Sequence, residues 1–455
     1  MKKPKKILAQ GTHQQAYKFR FYPSMVQAQS LAQTFGCARF VFNHTLDYSI
    51  KNYKSRNYTI VDDFGDLIQL DNTDYKSVGS VDRINYINEL KIVNPWLKEV
   101  SSIVLQQSNR DLNTSYDRFF THKSGFPSFK KMGNRNSFRI TGKNSIHFDE
   151  HGNYTLPKMK HHLDIKFSRD FDRTQVSSIT VSREPSGHYY ISFLSIGKNK
   201  KIKPIYKKTG FDGGFKTTFV SFNGTNFVEK NIPNLTSIVA KIKHLQKEMS
   251  RKVIRSNNRH KARIQLAKAY ETKSNIIKDF QHKLTTQLVN ENQVIIGEDL
   301  DLAQMKLKKN LDTIKDKTIR QCIQHVSLGE MYRQIDYKSA WQNKTFLRAD
   351  QYFPSSKLCS QPGCGYIHHD LQLSDRSWTC PDCHTTHDRD QNAAVNLYHY
   401  DEKYAQQVMK EVLAYHQQKK LLTQQINPES AVGMTVYACG GDVSLSSQCE
   451  LSSPF

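Results

Sequence analysis

Hydrophobic and polar positions change period several times along the chain. In "YKFRFY" (residues 17–22) they alternate as in a strand, and Pro23 ends the run. From about Gln27 onward, Leu31, Phe35, Ala38, Phe42 and Leu46 recur at helical spacing. That pattern predicts an amphipathic helix. A further helix is predicted over "NPWLKEVSSIVLQQSNRDLNTSYDRFF", with Pro95 near its start. "SGFPSFKKMGNRNSFRI" reads as a basic, aromatic loop. Between residues 137 and 206 the runs shorten and alternate, as in "SSITVSREPSGHYYISFLSI", where Pro-Ser-Gly marks a hairpin turn. The first part of the chain is therefore expected to be a β-rich domain with a helical insertion.

A second unit begins near Lys208. "TGFDGGFKTTFVSFNGTNFVEK" predicts a strand, a Gly-rich turn and a second strand leading to an Asn-Gly hairpin. Residues 235–290 predict a long helical hairpin, and "NQVIIGEDL" a short buried strand ending in two acids. Helix is expected again over 318–342, then the strand "KTFLRADQYF" and a helix to about residue 420. Residues 421–455 hold no Lys or Arg and are rich in Ser, Gln and Gly, so they are expected to be disordered.

Charge narrows the partner. A formal net charge of +24 over 455 residues points to a polyanion, with nucleic acid favoured over an anionic membrane surface. The first helical arm is dense in cations: Lys241, Lys243, Lys247, Arg251, Lys252, Arg255, Arg259, Lys261 and Arg263. It is the leading candidate to line a nucleic-acid channel, against the plainer reading of a solvated helix face. Gln106, Lys130 and Lys131 are further candidate contacts, whereas Phe126 and Phe129 are as well read as core. No apolar run reaches membrane-spanning length and the N-terminus lacks a signal-peptide core, so a cytoplasmic location is expected.

Eight cysteines are present, and Cys359, Cys364, Cys380 and Cys383 cluster within 25 residues. A disulfide framework would spread its pairs, whereas clustered pairs in a cytosolic chain read as metal ligands. Two close pairs supply the tight turns that tetrahedral zinc needs, with Pro362 and Gly363 bending the first. Four thiolates close the shell, which makes the zinc structural and leaves His368, His369, His384 and His387 outside it.

Three acids stand at predicted element ends: Asp212 in "GFDGGF", Glu298 in "IIGEDL" and Asp390 in "HDRDQNAA". Each has a bland reading, as a turn starter, a strand end or a helix N-terminal charge, and Asp388 reads as the N-cap. The chemistry that would use all three together is two-metal phosphodiester hydrolysis with Mg²⁺. Their order along the predicted elements is that of a RuvC-type RNase H fold.

The residues at this point resemble a known family. "FPSSKLCS", "LSDRSWTCPDCHTTHDRDQNAAVNL", "YKFRFYPSMVQAQSLAQTFGCARFVFNHTL", "VLQQSNRDLNTSYDRFF", "GFPSFKK" and the tail's "ACGGDV" resemble TnpB, the RNA-guided nuclease of small bacterial insertion sequences. The resemblance implies an α+β multidomain fold: a β-barrel wedge domain (1–24 and 125–207) with a helical recognition insertion (25–124). An RNase H-like (RuvC) α/β domain follows (208–350 and 387–420), with an inserted zinc-binding module (351–386). It implies a guide RNA from the transposon end, a target double-stranded DNA with a short flanking motif, and catalysis by Asp212, Glu298 and Asp390 holding two Mg²⁺. A monomer is expected.

Two departures from the family pattern stand out. Gly213 replaces the usual larger apolar residue after the first acid, and the first cysteine pair is four residues apart rather than two. Neither removes a ligand. A guide-directed DNA-binding protein without cleavage and a transposase accessory protein are the alternatives. The survival of all three acids favours the enzyme.

Overall fold

β1 (Thr12–Tyr22) contains the alternation read at 17–22 and begins earlier, with Phe19 and Phe21 turned into the core. Pro23 closes it and α1 (Met25–Lys54) follows. Leu31, Phe35, Ala38, Phe42 and Leu46 are all buried, as their spacing requires. The computed structural model describes residues 9, 11–54, 57–61, 67–71, 78–133, 135–142, 145–199, 205–214, 217–300, 327–372 and 374–426. These fall into two compact units between which the chain passes repeatedly.

The first unit takes in the described residues of 1–206, 232–293 and 318–345. After α1 comes a hairpin of β2 (Asn57–Val61) and β3 (Leu67–Asp71), which the helical reading of 25–124 did not anticipate. α2 (Ser80–Val93) and α3 (Ser102–Phe120) complete that insertion. Arg83 is buried at their junction. Its guanidinium donates to Asn109 Oδ1 (3.1 Å), Ser49 Oγ (3.3 Å) and the Val78 carbonyl (2.9 Å), and also to Asn113. Among the described residues no carboxylate lies in ion-pair range of this buried cation, which is tolerable because its donors are satisfied in this way.

β4 (Asn136–Thr141), β5 (Asp164–Lys166), β6 (Ser178–Arg183) and β7 (Tyr189–Lys198) join β1 in a sheet of order β4-β6-β7-β1-β5. The long β1–β7 ladder runs antiparallel from Thr12 opposite Lys198 to Phe21 opposite Tyr189. Phe19, Phe167, Phe171, Phe193 and Tyr154 stack beneath it. The expected barrel is not confirmed. β4 and β5 are edges, and no ladder among the described residues joins them, so the sheet stays open.

The helical hairpin is α4 (Thr236–Ser250) and α5 (Asn257–Glu291), zipped by Ile242, Leu245, Leu266 and Ala269. α6 (Leu328–Trp341) packs on α5 through a polar seam, in which Lys338 Nζ reaches His282 O (3.0 Å), Thr285 Oγ1 (2.7 Å) and Thr286 Oγ1 (2.8 Å). The part of the predicted 318–342 helix before residue 327 lies outside the described residues.

The second unit takes in the described residues of 207–231, 294–317 and 346–455. Its sheet has the order β10-β9-β8-β11-β12, from β8 (Lys208–Asp212), β9 (Phe219–Phe222), β10 (Phe227–Lys230), β11 (Val294–Glu298) and β12 (Thr345–Ala349). β10, β9 and β8 form an antiparallel meander, and β11 runs parallel to β8. The hairpin β13 (Ser377–Thr379) and β14 (Thr386–Asp388) leads into α7 (Arg389–Tyr398) and then α8 (Glu402–Ile426). α8 runs six residues past the expected end at 420, so the segment read as disordered tail begins as helix. Its remainder, 427–455, lies outside the described residues.

Candidate active site and metal centre

β8 and β11 decide where two of the acids lie. They are hydrogen-bonded parallel neighbours in the register Gly297 opposite Phe211, which sets Glu298 beside Asp212 at the carboxyl ends of both strands. The third acid arrives on α7. That helix lies close on β8 because Ala393 and Ala394 are small and Gly210 has no side chain. A Cβ at Gly210 would fall 2.1 Å from the Tyr398 nitrogen and 2.5 Å from the Ala394 carbonyl, which is impossible without moving the helix. Asp390, in the first turn of α7, is thereby held over the strand ends.

The electrostatics record the convergence. Burial, then the carboxylates of Glu298 and Asp390, push Asp212 well above the ordinary carboxylate range, against the pull of Arg389. Burial also raises Glu298, opposed by its hydrogen bond from Ser355 Oγ and by Arg389, with Asp390 adding to the rise. Arg376 stands 3.6 Å from Asp390 Oδ1, on a side chain only 17 % exposed. The three carboxylates act on one another electrostatically, with Arg376 and Arg389 as the neighbouring cations, and carboxylate oxygens are hard donors of the kind Mg²⁺ takes. Among the described residues only the four cysteines form a group whose ligand atoms all lie within 4.8 Å of one another.

The neighbouring acids are turned to other work. Asp388 caps α7, its Oδ1 accepting from the Asp390 and Gln391 N–H groups at 3.0 Å each. Asp299 is exposed, 3.4 Å from Arg348 Nη1.

α7 also carries a second row of residues that the sequence reading did not single out as a clamp. Asn392 and Asn396, one turn apart, are both buried. Asn396 Nδ2 donates to the Ser355 and Leu358 carbonyls at 2.7 Å each. Asn392 Nδ2 donates to Leu358 O (2.7 Å) and Ser356 O (3.3 Å), and its Oδ1 accepts from Ser360 N–H (3.0 Å). The clamped segment presents Ser355 to Glu298 at one end and Cys359 to the cysteine cluster at the other. The i, i+4 asparagine spacing was the available signal. Ser355, Arg376 and Arg389 carried none, because their partners are distant in sequence.

Cys359, Cys364, Cys380 and Cys383 bring their sulfurs within 4.8 Å of one another. The Cys359–Cys383 and Cys364–Cys380 separations are 3.6 and 3.5 Å. Tetrahedral zinc with bonds of about 2.3 Å needs sulfurs about 3.8 Å apart, so the cluster fits that ion. Gly363, at φ +80°, supplies the left-handed residue of the longer first turn. Hydrogen bonding with the Thr385 hydroxyl and N–H brings the Cys383 thiol down to about 6, while burial pushes Cys359 up. His387 sits beside the shell, its Nε2 3.1 Å from the Cys359 sulfur. His368 lies edge-on to Trp378, and His369 stacks on Tyr415.

The candidate nucleic-acid residues lie in the first unit. Lys241, Lys243, Lys247, Arg251 and Arg255 are exposed, Lys252 pairs with Glu248 (3.1 Å), and Arg259 braces the hairpin turn. Arg263 Nη1 donates to the Gly133 carbonyl at 3.2 Å, joining the arm to the loop that carries Lys130 and Lys131. Lys130 Nζ lies 3.9 Å over the Phe42 ring, and burial lowers its pKa. Lys130 and Lys131, with Arg39 and Arg135, line a cavity of about 240 Å³. Gln106 is exposed on α3, away from its buried neighbours Gln107 and Asn109. Phe126 and Phe129 are 52 % and 47 % exposed, so neither is core.

Comparison with known proteins gives three matching family models. A helix-turn-helix domain (HTH_OrfB_IS605) matches residues 13–57, which here are a strand and one long helix for most of their length. The OrfB_IS605 family, described as "Probable transposase", matches 193–309, and "Cas12f1-like, TNB domain" matches 329–397. A Streptomyces pristinaespiralis protein named "Putative RNA-guided DNA endonuclease" is 31% identical over 84% of this chain and 88% of its own. Escherichia coli K12 "Putative RNA-guided DNA endonuclease InsQ" is 28% identical over 84% and 91%. A chain from the cryo-EM structure of the Cas12f1-sgRNA-target DNA complex aligns over 87% of this chain and 100% of its own, at 12% identity and TM-score 0.49. No helix among the described residues is long and apolar enough to cross a membrane.

Proposed function

The chain belongs to the TnpB family of insertion-sequence proteins, and from that premise we propose that it is an RNA-guided DNA endonuclease. It takes a guide RNA from the transposon end and cuts double-stranded DNA beside a short flanking motif. The observation that carries the reading is the meeting of Asp212, Glu298 and Asp390 at adjacent strand ends. The order of the second sheet, an antiparallel meander continued by a parallel strand, supports an RNase H-like domain.

In this reading Asp212, Glu298 and Asp390 hold two Mg²⁺. Bound divalent ions supply an activated water and stabilise the leaving oxygen. The chain's own residues prepare the site. Ser355 fixes the Glu298 carboxylate, the clamp of Asn392 and Asn396 fixes Ser355, and Asp388 fixes the start of the helix that carries Asp390. Arg376 and Arg389 offset the crowded negative charge and would attract a DNA phosphate. The zinc cluster is structural, and the basic arm and the Lys130–Lys131 loop follow phosphate backbones while base pairing reads sequence.

The test is cleavage of a plasmid target by the chain expressed with its own transposon-end RNA, in Mg²⁺ and in chelator. Wild type and Asp388→Asn should cut, since Asn still caps the helix. Asp212→Ala, Glu298→Ala and Asp390→Asn should bind the target and leave it intact. If Asp390→Asn cuts at the wild-type rate while Asp388→Asn is dead, the third ligand is misassigned. A wild-type chain that binds its target but never cuts would make this a guided binding protein.

A further inference from the structure

The turn joining α4 and α5 displays two side chains that the fold does not use. Val253 and Ile254 are 76 % and 74 % exposed, beyond the apolar seam that zips the two helices. Single exposed apolar residues are ordinary. An adjacent β-branched pair at the turn of a helical hairpin is less so, because nothing in the hairpin's own apolar seam holds it there.

The turn is also built to be rigid. Arg259 Nη1 donates to the Met249 carbonyl (2.9 Å) and the Lys252 carbonyl (3.0 Å), tying the start of α5 to the end of α4 across the turn. Ser256 caps α5, its hydroxyl accepting from Arg259 N–H and donating to the Val253 carbonyl at 2.8 Å. Arg255 is held at φ +69°, a left-handed conformation that a non-glycine residue adopts only where its surroundings enforce it. Val and Ile are stiff at χ1, so the displayed surface loses little freedom on contact.

Charge identifies the partner. The pair is bracketed by Arg251, Lys252 and Arg255, and the residues from 247 to 263 carry seven Lys or Arg against one Glu. A rigid apolar tip ringed by cations fits a polyanion that exposes flat apolar faces where its stacking is broken. Nucleic acid at an unpaired or splayed base has that chemistry, and aliphatic wedges between bases are an established way to hold such a break. We propose that Val253 and Ile254 form a wedge that packs against an unpaired nucleobase while Arg251 and Arg255 grip the flanking phosphates. The proposal deepens the reading of the chain as a nucleic-acid-guided protein and rests on it.

Apolar and ionic contacts separate by salt dependence. The full chain, its Val253→Ser/Ile254→Ser variant and its Arg251→Gln/Arg255→Gln variant are titrated against four probes: an RNA hairpin with an unpaired loop, the same hairpin in DNA, the fully paired duplex, and phosphatidylserine vesicles. The serine pair should weaken hairpin binding roughly tenfold, as losing base packing does, with an unchanged slope against salt and an unchanged duplex affinity. The glutamine pair should lower the slope by about 2, one released counterion per lost phosphate contact. Val253→Ile with Ile254→Leu should bind as wild type. The hairpin that suffers the loss, RNA or DNA, names the strand that is wedged. Wild-type affinity in the serine pair, equal loss on duplex and hairpin, or loss on vesicles alone would overturn the wedge and leave the nuclease reading standing. A wild-type chain that binds neither hairpin would overturn both.

Discussion

Asn396→Ala measures how strongly the α7 clamp holds the loop that serves both the acids and the cysteines. The Asn396 side chain is 6 % exposed and donates two hydrogen bonds of 2.7 Å. In the alanine variant the Leu358 carbonyl keeps its 2.7 Å bond from Asn392, whereas the Ser355 carbonyl is left with a 3.4 Å contact to the same group. Two bonds are worth about 1 kcal/mol each, and a poorly satisfied buried carbonyl adds a further penalty of about 1 kcal/mol or more, so the loss should be about 2–4 kcal/mol. With a urea m-value of about 2 kcal/mol/M, the midpoint of the second unit should fall by about 1–2 M. Trp378, buried in the cysteine module, reports on this region once Trp96 and Trp341 are changed to Phe. Zinc release, followed with a chelating dye, should move to lower urea in step. Gln391→Ala is the control, because it breaks only an exposed hydrogen bond to Glu229 and should cost no more than about 0.5 kcal/mol. If Asn396→Ala is indistinguishable from Gln391→Ala, the clamp does not hold the loop and its role in placing Ser355 falls with it.

Three further outcomes are expected. Purified chain should carry about one zinc per molecule, and Cys380→Ser, which opens the fully buried corner of the shell, should lose it; metal analysis of soluble, active protein without zinc would refute this. In chelator, Asp212→Asn should unfold at a higher temperature than wild type, by about 2–4 °C for each kcal/mol of repulsion relieved, whereas added Mg²⁺ should stabilise only the wild type; equal responses to Mg²⁺ would remove Asp212 from the metal site. Burial brings Lys338 down to about 8 from an ordinary 10.5, so between these values the unfolded chain binds the extra proton and stability rises with pH. Lys338→Met should abolish that rise in urea midpoints measured across the window, and parallel profiles for variant and wild type would refute the assignment.

Much of the local architecture is legible without coordinates. The five apolar residues of α1, the Pro-Ser-Gly and Asn-Gly turns, the long basic hairpin and the strand before Glu298 all follow from periodicity and turn chemistry. So does the cysteine cluster, because close pairs of ligands are local in sequence. The β2–β3 hairpin, the open edges of the first sheet and the extension of α8 were not readable in this way. Short strands and helix ends depend on partners as much as on their own residues.

The sequence by itself determined which acids were available, which elements carried them and in what order. Only the tertiary structure decided that they meet, through the parallel register of β8 and β11 and the space that Gly210 leaves for α7. The same is true of Ser355 against Glu298, His387 against Cys359 and Arg259 against the Met249 carbonyl. Periodicity reports which face of an element is buried, because burial repeats with the backbone's own geometry. A side-chain hydrogen bond has no period; it exists only where packing brings one donor and one acceptor to within about 3 Å.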